Sequence, residues 1–421
     1  MAQEKADSDQ VRRQNRALVL NALRRIGPVA RIDLGQETGL SAASVSAITG
    51  DLLEEEIIRV HNLESAEAPV LGRGRPRVLL ELNPAAAKVL GVKLSRNIAV
   101  FQLFDYTGAS LGNKVYALNT AGIDIAEFVQ DFAEKIVEFL AQLNTRADEV
   151  KECRLALQGT MDDASGVIIW SPAFSAPNVR LAGPLSARIS IPVTISNDAN
   201  LLAQAMLSLD PSLSDETFAL ILLDHGIGMG LVINGKLFTA HGGAAAEFGH
   251  VNHIPGGALC RCGRRGCLEA YTAPYAIYRQ FDGKDPQSKP REFLQEPSAF
   301  DRFVKLAEDG AEHPLEVLDE AGEALGYGIA RAVALLDPSF VIITGEYECL
   351  YPHMKVGIQR GMEAALVDNL SRHVTIAPFS EFQVSQQVEG DLISFGLKAS
   401  ALQRLDAEIF AGKHQSAGRA S

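Results

Sequence analysis

The 421-residue sequence predicts an α/β protein in which a small helical head precedes a two-lobed body. Three observations predict it. The first eighty residues show helical periodicity broken by glycine and proline. Beyond residue 83, apolar runs of strand length alternate with amphipathic helical stretches. Those runs form two successive series, each closed by helices, as in two α/β lobes with a cleft between them. Length allows two to four domains, and 47% hydrophobic content suffices to bury their cores.

In the head, residues 11–26 read as a helix with Val19, Leu20, Leu23 and Ile26 on one face, ended by Gly27-Pro28. A short helix over 32–37 leads to Thr38-Gly39-Leu40, a tight turn. Ser41 caps the next helix, whose Val45, Ile48 and Leu52 share a stripe. Ile57, Ile58 and Val60 read as a wing strand. The pattern is an N-terminal winged helix-turn-helix domain over residues 1–65, with a small helical interaction module as the alternative. Candidate DNA contacts on the second helix are Ser41, Ala42, Ser44 and Ser46, with Ala47 and Thr49 also expected to be exposed. These side chains hold phosphates better than they read bases. Residues 66–82 form a linker and connecting strand, LGRGRPRVLLEL, whose Arg73, Arg75 and Arg77 suit a narrow minor groove; a solvated linker is the other reading.

The body begins near residue 83. Runs at 89–94, 98–105, 153–159, 167–170 and 192–196 read as strands, with an amphipathic helix over 123–143. The second series runs through 217–224, 229–240, 340–345 and 374–379, with long helices over 316–336 and 352–368. Asn234-Gly235 between apolar runs marks a hairpin. Lobe 1 is assigned to 83–198 plus 388–410 and lobe 2 to 199–387.

Charge and composition exclude several classes. A net charge of −13 argues against a surface that coats nucleic acid generally, while residues 1–83 are nearly balanced, so DNA would be met through the head alone. The N-terminus is polar and no apolar run has membrane-spanning length, so a soluble, cytoplasmic protein is expected.

One segment carries metal chemistry. His250, Cys260, Cys262 and Cys267 fall within 18 residues, GHVNHIPGGALCRCGRRGCLE, among glycines that let the backbone fold around an ion. Three thiolates and one imidazole are a structural Zn2+ ligand set. Cys153 and Cys349 read as ordinary core residues, and the usage fits a reducing compartment.

With its Asn197-Asp198-Ala199-Asn200, its Glu247-Phe248-Gly249-His250 and the Cys260–Glu269 motif CRCGRRGCLE behind that head, the chain resembles the ROK family (repressors, open reading frames and sugar kinases) over nearly its whole length. The resemblance implies an actin/hexokinase-like ATPase-fold body with a sugar cleft beside the zinc. It implies sugar-binding roles for Asn197, Asp198, Glu247, His250 and Glu269, and more loosely for Asn178. Asp198 corresponds to the kinases' general base. Carboxylates and amides satisfy the paired donor and acceptor roles of hydroxyls. The plainer alternatives are a helix cap for Asp198 and solvated surface acids for Glu247 and Glu269.

The nucleotide elements depart from the family pattern. The kinases' G-x-D-x-G-G-T is here Gly91-Val92-Lys93-Leu94-Ser95-Arg96-Asn97, and an ammonium cannot hold Mg2+. The second phosphate loop, Asp224-His225-Gly226-Ile227-Gly228-Met229-Gly230, keeps three glycines but gains an acid, and Ile343-Thr344-Gly345-Glu346 replaces a Gly-Gly pair. No ATP or Mg2+ binding and no catalysis are expected, leaving Asp198 a vestigial base. The expected function is a DNA-binding regulator of carbohydrate genes, acting as a repressor. Its partners would be a double-stranded operator, a sugar or sugar-phosphate effector and its own copies in a homodimer or homotetramer. Effector binding is expected to shift the lobes and so the heads, through the short linker. The alternative is an active sugar kinase carrying an added DNA-binding head.

Overall fold

A computed structural model describes residues 2–61, 77–120, 122, 124–163, 165–239, 247–290, 297–367, 374–388 and 391–410. Arg73 and Arg75, the expected minor-groove arm, lie outside the described residues.

The chain begins with helix α1 (Ala2–Ile26), a short strand β1 (Val29–Ala30), and helices α2 (Arg31–Thr38) and α3 (Ala42–Glu54). Gly39 takes the left-handed conformation (φ 69°) that turns α2 into α3. Ser41 caps α3 by accepting a hydrogen bond from the Ser44 amide at 3.1 Å. Strands β1 and β2 (Ile58–Val60) each pair with β3 (Leu79–Leu82) in an antiparallel sheet of order β1-β3-β2. Val19, Leu20 and Leu23 of α1 pack with Val45, Ile48 and Leu52 of α3, as the periodicity requires. Thr49 corrects the sequence reading. It is fully buried, donating to the Val45 carbonyl at 2.8 Å and accepting from Arg31 Nε at 2.7 Å, so it offers nothing to a ligand.

The body holds two five-stranded sheets. The first comprises β4 (Lys88–Ser95), β5 (Ile98–Asp105), β6 (Ser110–Ala117), β7 (Val150–Leu157) and, after the small hairpin strands β8 (Thr160–Asp162), β9 (Val167–Trp170) and β10 (Val179–Arg180), β11 (Val193–Asn197). Its order is β11-β7-β4-β5-β6, backed by α4 (Ile125–Gln142) and α5 (Ala182–Ile189). Helix α6 (Asp198–Leu209) then leads to β12 (Phe218–Leu223), β13 (Ile227–Ile233) and β14 (Lys236–Leu237). Asn234 and Gly235 both have positive φ (50° and 68°), the hairpin geometry their dipeptide predicts. Past α7 (Glu269–Thr272), α8 (Pro274–Phe281), α9 (Pro297–Glu308) and α10 (Glu312–Leu336), strand β15 (Phe340–Thr344), α11 (Tyr351–Ala365) and β16 (Thr375–Pro378) complete a sheet of order β14-β13-β12-β15-β16. Helices α10 and α11 touch backbone to backbone. A Cβ at Gly322, Gly326, Gly357 or Gly361 would strike a carbonyl of the facing helix, so only glycine permits the approach.

Helix α12 (Leu392–Arg404) returns the chain to the first sheet, where Leu397 would meet a Cβ on Gly91 at 3.2 Å. It continues as a π-helical turn over Leu405–Phe410 that reaches the head. Leu80 and Leu82 share one apolar cluster with Val89, Phe104, Tyr106, Leu402, Leu405 and Phe410. Asp406, wholly buried, accepts from Arg24 Nε and Nη2 at 3.1 and 3.0 Å and from the Tyr106 hydroxyl at 2.6 Å. Arg24 Nη1 donates to the Tyr106 carbonyl at 2.6 Å and its guanidinium lies 4.8 Å over the Tyr106 ring. The head is thus also packed onto the first sheet, by a shared core and a buried ion pair. Among the described residues no helix is long and apolar enough to cross a membrane.

Candidate ligand cleft and metal centre

The candidate metal centre is assembled by short-range backbone pairing. Cys260 and Arg264 close a tight turn through Cys260 N–H to Arg264 O at 2.9 Å, and bridges Leu259–Arg265 and Asn252–Cys267 align the two sides. His250 stands on a single 3-10 turn, Phe248–His250, that faces them. His250 Nδ1 lies 3.7 Å from Cys260 Sγ, Cys262 Sγ lies 3.7 Å from Cys267 Sγ, and all four ligand atoms lie within 4.8 Å of one another. Thiolates about 2.3 Å from a tetrahedral ion would sit roughly 3.8 Å apart, so the group fits one metal ion of that geometry. With Nδ1 turned to the thiols, His250 keeps Nε2 for the cleft. The other two cysteines differ from each other: Cys153 is buried as expected, whereas Cys349 is exposed, against expectation.

The cleft runs between the sheets beside this centre. An inner chamber of about 50 Å3 is lined by Asn197, Asp198, Glu247, His250 and Glu269, together with Gln158, Trp170 and Arg261. Five of the six residues expected to meet a sugar thus converge. Asn178 does not: it sits on an exposed turn (φ 57°) before β10 and lines neither chamber of the cleft. Asn197, rather than Asp198, caps α6, accepting from the Asn200 amide at 3.1 Å while its Nδ2 donates to the Gly159 carbonyl at 2.9 Å. Asp198 is thereby released from the capping role and is buried at the chamber floor. Glu247 is neither solvated nor idle, since Thr160 Oγ1, from the opposite lobe, donates to its Oε1 at 2.5 Å. Glu269 joins the metal centre to the glycine loop: Oε1 lies 3.5 Å from Cys260 Sγ, and Oε2 accepts from the Ile227 amide at 3.4 Å.

The retained glycines of that loop have a packing cause. A Cβ on Gly226 would lie 2.8 Å from Glu269 Oε2, one on Gly228 would lie 3.1 Å from Ala199 Cβ, and one on Gly230 would strike the Ala199 carbonyl. They let the β12–β13 turn seat against α6 and α7, which needs no nucleotide. Lys93 Nζ stands 3.8 Å from Asp224 Oδ2, an ion pair bridging the two sheets across the cleft. Asp224, His225 and Glu346 also bring potential ligand atoms within 4.8 Å. The ammonium beside Asp224 already supplies positive charge there.

Burial, reinforced by the Asp224 carboxylate and opposed by Lys93, pushes the Asp198 carboxyl up to about 7. A carboxyl raised in the folded state holds its proton better there than in the unfolded chain. Its contribution therefore favours folding below the ordinary value of 3.8 and is lost progressively as pH rises through the folded value of about 7. Asp198→Asn, which cannot ionise, should be more thermostable than wild type at pH 8 by on the order of 2–4 kcal/mol, with little difference at pH 4. Melting curves at the two pH values check this. Equal differences at both would show that Asp198 ionises freely.

Trp170 and Arg261 line the cleft and Thr160 donates to Glu247 there, and none of the three is among the residues that the sequence leads one to expect. Trp170 carried one signal, as the chain's single tryptophan at the end of an apolar run; its ring packs edge-on to His250 at 5.3 Å between centroids. Thr160 and Arg261 carried none, since their neighbours come from distant parts of the chain.

Comparison with known proteins agrees with this architecture. The chain is 27% identical to the DNA-binding transcriptional dual regulator NagC of Escherichia coli over 338 residues, which is 80% of this chain and 82% of that protein. A crystal structure of a ROK family transcriptional regulator, a homologue of the E. coli MLC protein, shares the fold with a TM-score of 0.76 at 23% identity, over 96% of this chain and 99% of that one. A ROK family glucokinase from Streptomyces griseus, solved with glucose and AMPPNP, matches with a TM-score of 0.58 at 20% identity, covering 75% of this chain and 99% of that one. The ROK family model spans residues 91–391, most of the chain, including the thiol turn and the Asn197-Asp198 floor, so the chain belongs to the ROK family.

Proposed function

We propose that the chain is a transcriptional repressor of carbohydrate-metabolism genes, with an N-terminal winged helix-turn-helix head on operator DNA and a sugar or sugar-phosphate effector in the cleft. The observation that carries this reading is the contrast within one cleft. Asp198, Glu247, His250 and Glu269 converge on the inner chamber, while the nucleotide side is bridged by the Lys93–Asp224 ion pair. A phosphoryl-transfer site needs metal and backbone amides at that bridge. The likeness to NagC, a DNA-binding regulator by name, supports the same reading. On it, Ser41, Ala42, Ser44 and Ser46 of α3 approach DNA, with Arg73 and Arg75 in the minor groove. Residues 1–65 form the DNA-binding domain, 83–198 with 388–410 one lobe and 199–387 the other. Symmetric half-sites call for a homodimer or homotetramer.

The four-ligand centre holds a structural zinc ion, since three thiolates and an imidazole leave no open position for catalysis. The ion would rigidify the turn that carries Glu269 and His250 into the cleft.

An active sugar kinase is the second reading, favoured by the buried Asp198 at the position of the family base and by the glucokinase fold match. Two measurements separate them. Purified protein should retard DNA fragments from its own genome with release by one carbohydrate. It should give no ADP above background from Mg-ATP with any hexose, pentose or hexosamine. Turnover on any sugar would displace the repressor reading in favour of the kinase.

A further inference from the structure

The cleft has two ends of opposite charge. The inner chamber, about 50 Å3, is lined by three carboxylates, Asp198, Glu247 and Glu269, against one guanidinium, Arg261. Past Trp170 and Arg261, which line both spaces, it opens into an outer chamber of about 470 Å3. Among its described lining residues the outer chamber has Arg96, Arg261 and Lys289 and no carboxylate. The outer chamber is the larger of the two and adjoins the inner one, so a ligand seated among the carboxylates has room to extend into it.

Arg261 is held for use at this junction. Its Nη1 donates to the His225 carbonyl at 2.6 Å, and its guanidinium lies 4.6 Å over the Tyr275 ring. A carbonyl and a ring face orient the group without neutralising it, and the remaining donors suit an oxyanion. Arg96 follows β4 on the first lobe, whereas Arg261 and Lys289 belong to the second.

We infer that the cleft takes an anionic saccharide, its hydroxyls in the acidic inner chamber and its acidic group, phosphate or carboxylate, against Arg261 and Lys289 in the outer one. This deepens the proposed function and rests on its carbohydrate reading. A neutral sugar fills only the inner end. An acidic group also meets Arg261 and Lys289 of the second lobe opposite Arg96 of the first, so its binding biases the lobe angle.

The test is calorimetric titration of full-length, metal-loaded protein with matched sets: glucose, galactose and mannose, their 6-phosphates and their uronates, plus N-acetylglucosamine and its 6-phosphate. In any set that binds, a charged member should bind about tenfold or more tighter than its neutral parent, the gain of a charge-assisted pair. The phosphate and uronate arms identify which acid is meant. The charged-to-neutral ratio should fall towards one in Arg261→Gln and be largely kept in Arg261→Lys, a contrast that misfolding would not produce. A neutral parent binding as tightly as its charged forms, or a ratio indifferent to Arg261→Gln, overturns this inference and leaves the carbohydrate reading standing. Failure of every compound, neutral and charged, overturns both.

Discussion

Cys262→Ser or Cys267→Ser protein is expected to purify without its metal and to melt about 10 °C below wild type. Each sulfur stands 3.7 Å from the other, so losing one opens the ligand set to an incomplete site. Structural zinc in isolated fingers contributes about 10–16 kcal/mol, but here the turn is also held by Leu259–Arg265 and Asn252–Cys267 pairing. A net loss of roughly 3–5 kcal/mol corresponds to about 10 °C for a lobe of this size. Effector binding should disappear with the metal, because Glu269 Oε1 lies 3.5 Å from Cys260 Sγ and shares its support. Metal analysis and melting scans check the result. Cys349→Ser is the control, since that thiol is exposed and distant from the turn in sequence. Full metal content and unaltered melting in Cys267→Ser would show that this cysteine holds no metal.

Asp406→Ala is expected to loosen the head while leaving the cleft intact. Asp406 has no solvent exposure and takes two bonds from Arg24 and one from Tyr106. Deleting one partner of a buried ion pair costs roughly 3–5 kcal/mol, because the other charge stays behind undercompensated. Tyr106→Phe, which deletes a single hydroxyl, should cost nearer 1 kcal/mol. Hydrogen exchange should quicken through α1 and the β1-β3-β2 sheet, and DNA retention should fall, with saccharide affinity close to wild type. A head as protected in Asp406→Ala as in wild type would mean that the shared apolar core alone holds it.

Much of the candidate site was legible in the chain. The four candidate metal ligands stand within one short window, where their clustering shows without any long-range contact. The sheets were legible where both faces are apolar: β5 and β9 have the bounds their runs suggest. Strand β6 was missed because it is an edge strand whose residues, Val115 among them, are largely exposed, so no apolar run marks it. Thr49 was misjudged because a threonine can turn its hydroxyl back onto its own helix, as Oγ1 does towards the Val45 carbonyl. The Gly226, Gly228 and Gly230 series looked like the remnant of a phosphate loop; Ala199 and Glu269 lean on it closely enough to account for it.

Helix capping, the Asn234-Gly235 hairpin and the thiol cluster are properties of a few neighbouring residues, and composition and spacing settle those. Folding alone decided that Lys93 would meet Asp224, that Thr160 would meet Glu247, and that a C-terminal carboxylate would bury itself against Arg24. Each of these pairs joins residues dozens to hundreds of positions apart. Their energy depends on burial and on distances of a few ångströms, which no stretch of sequence specifies until the sheets have packed.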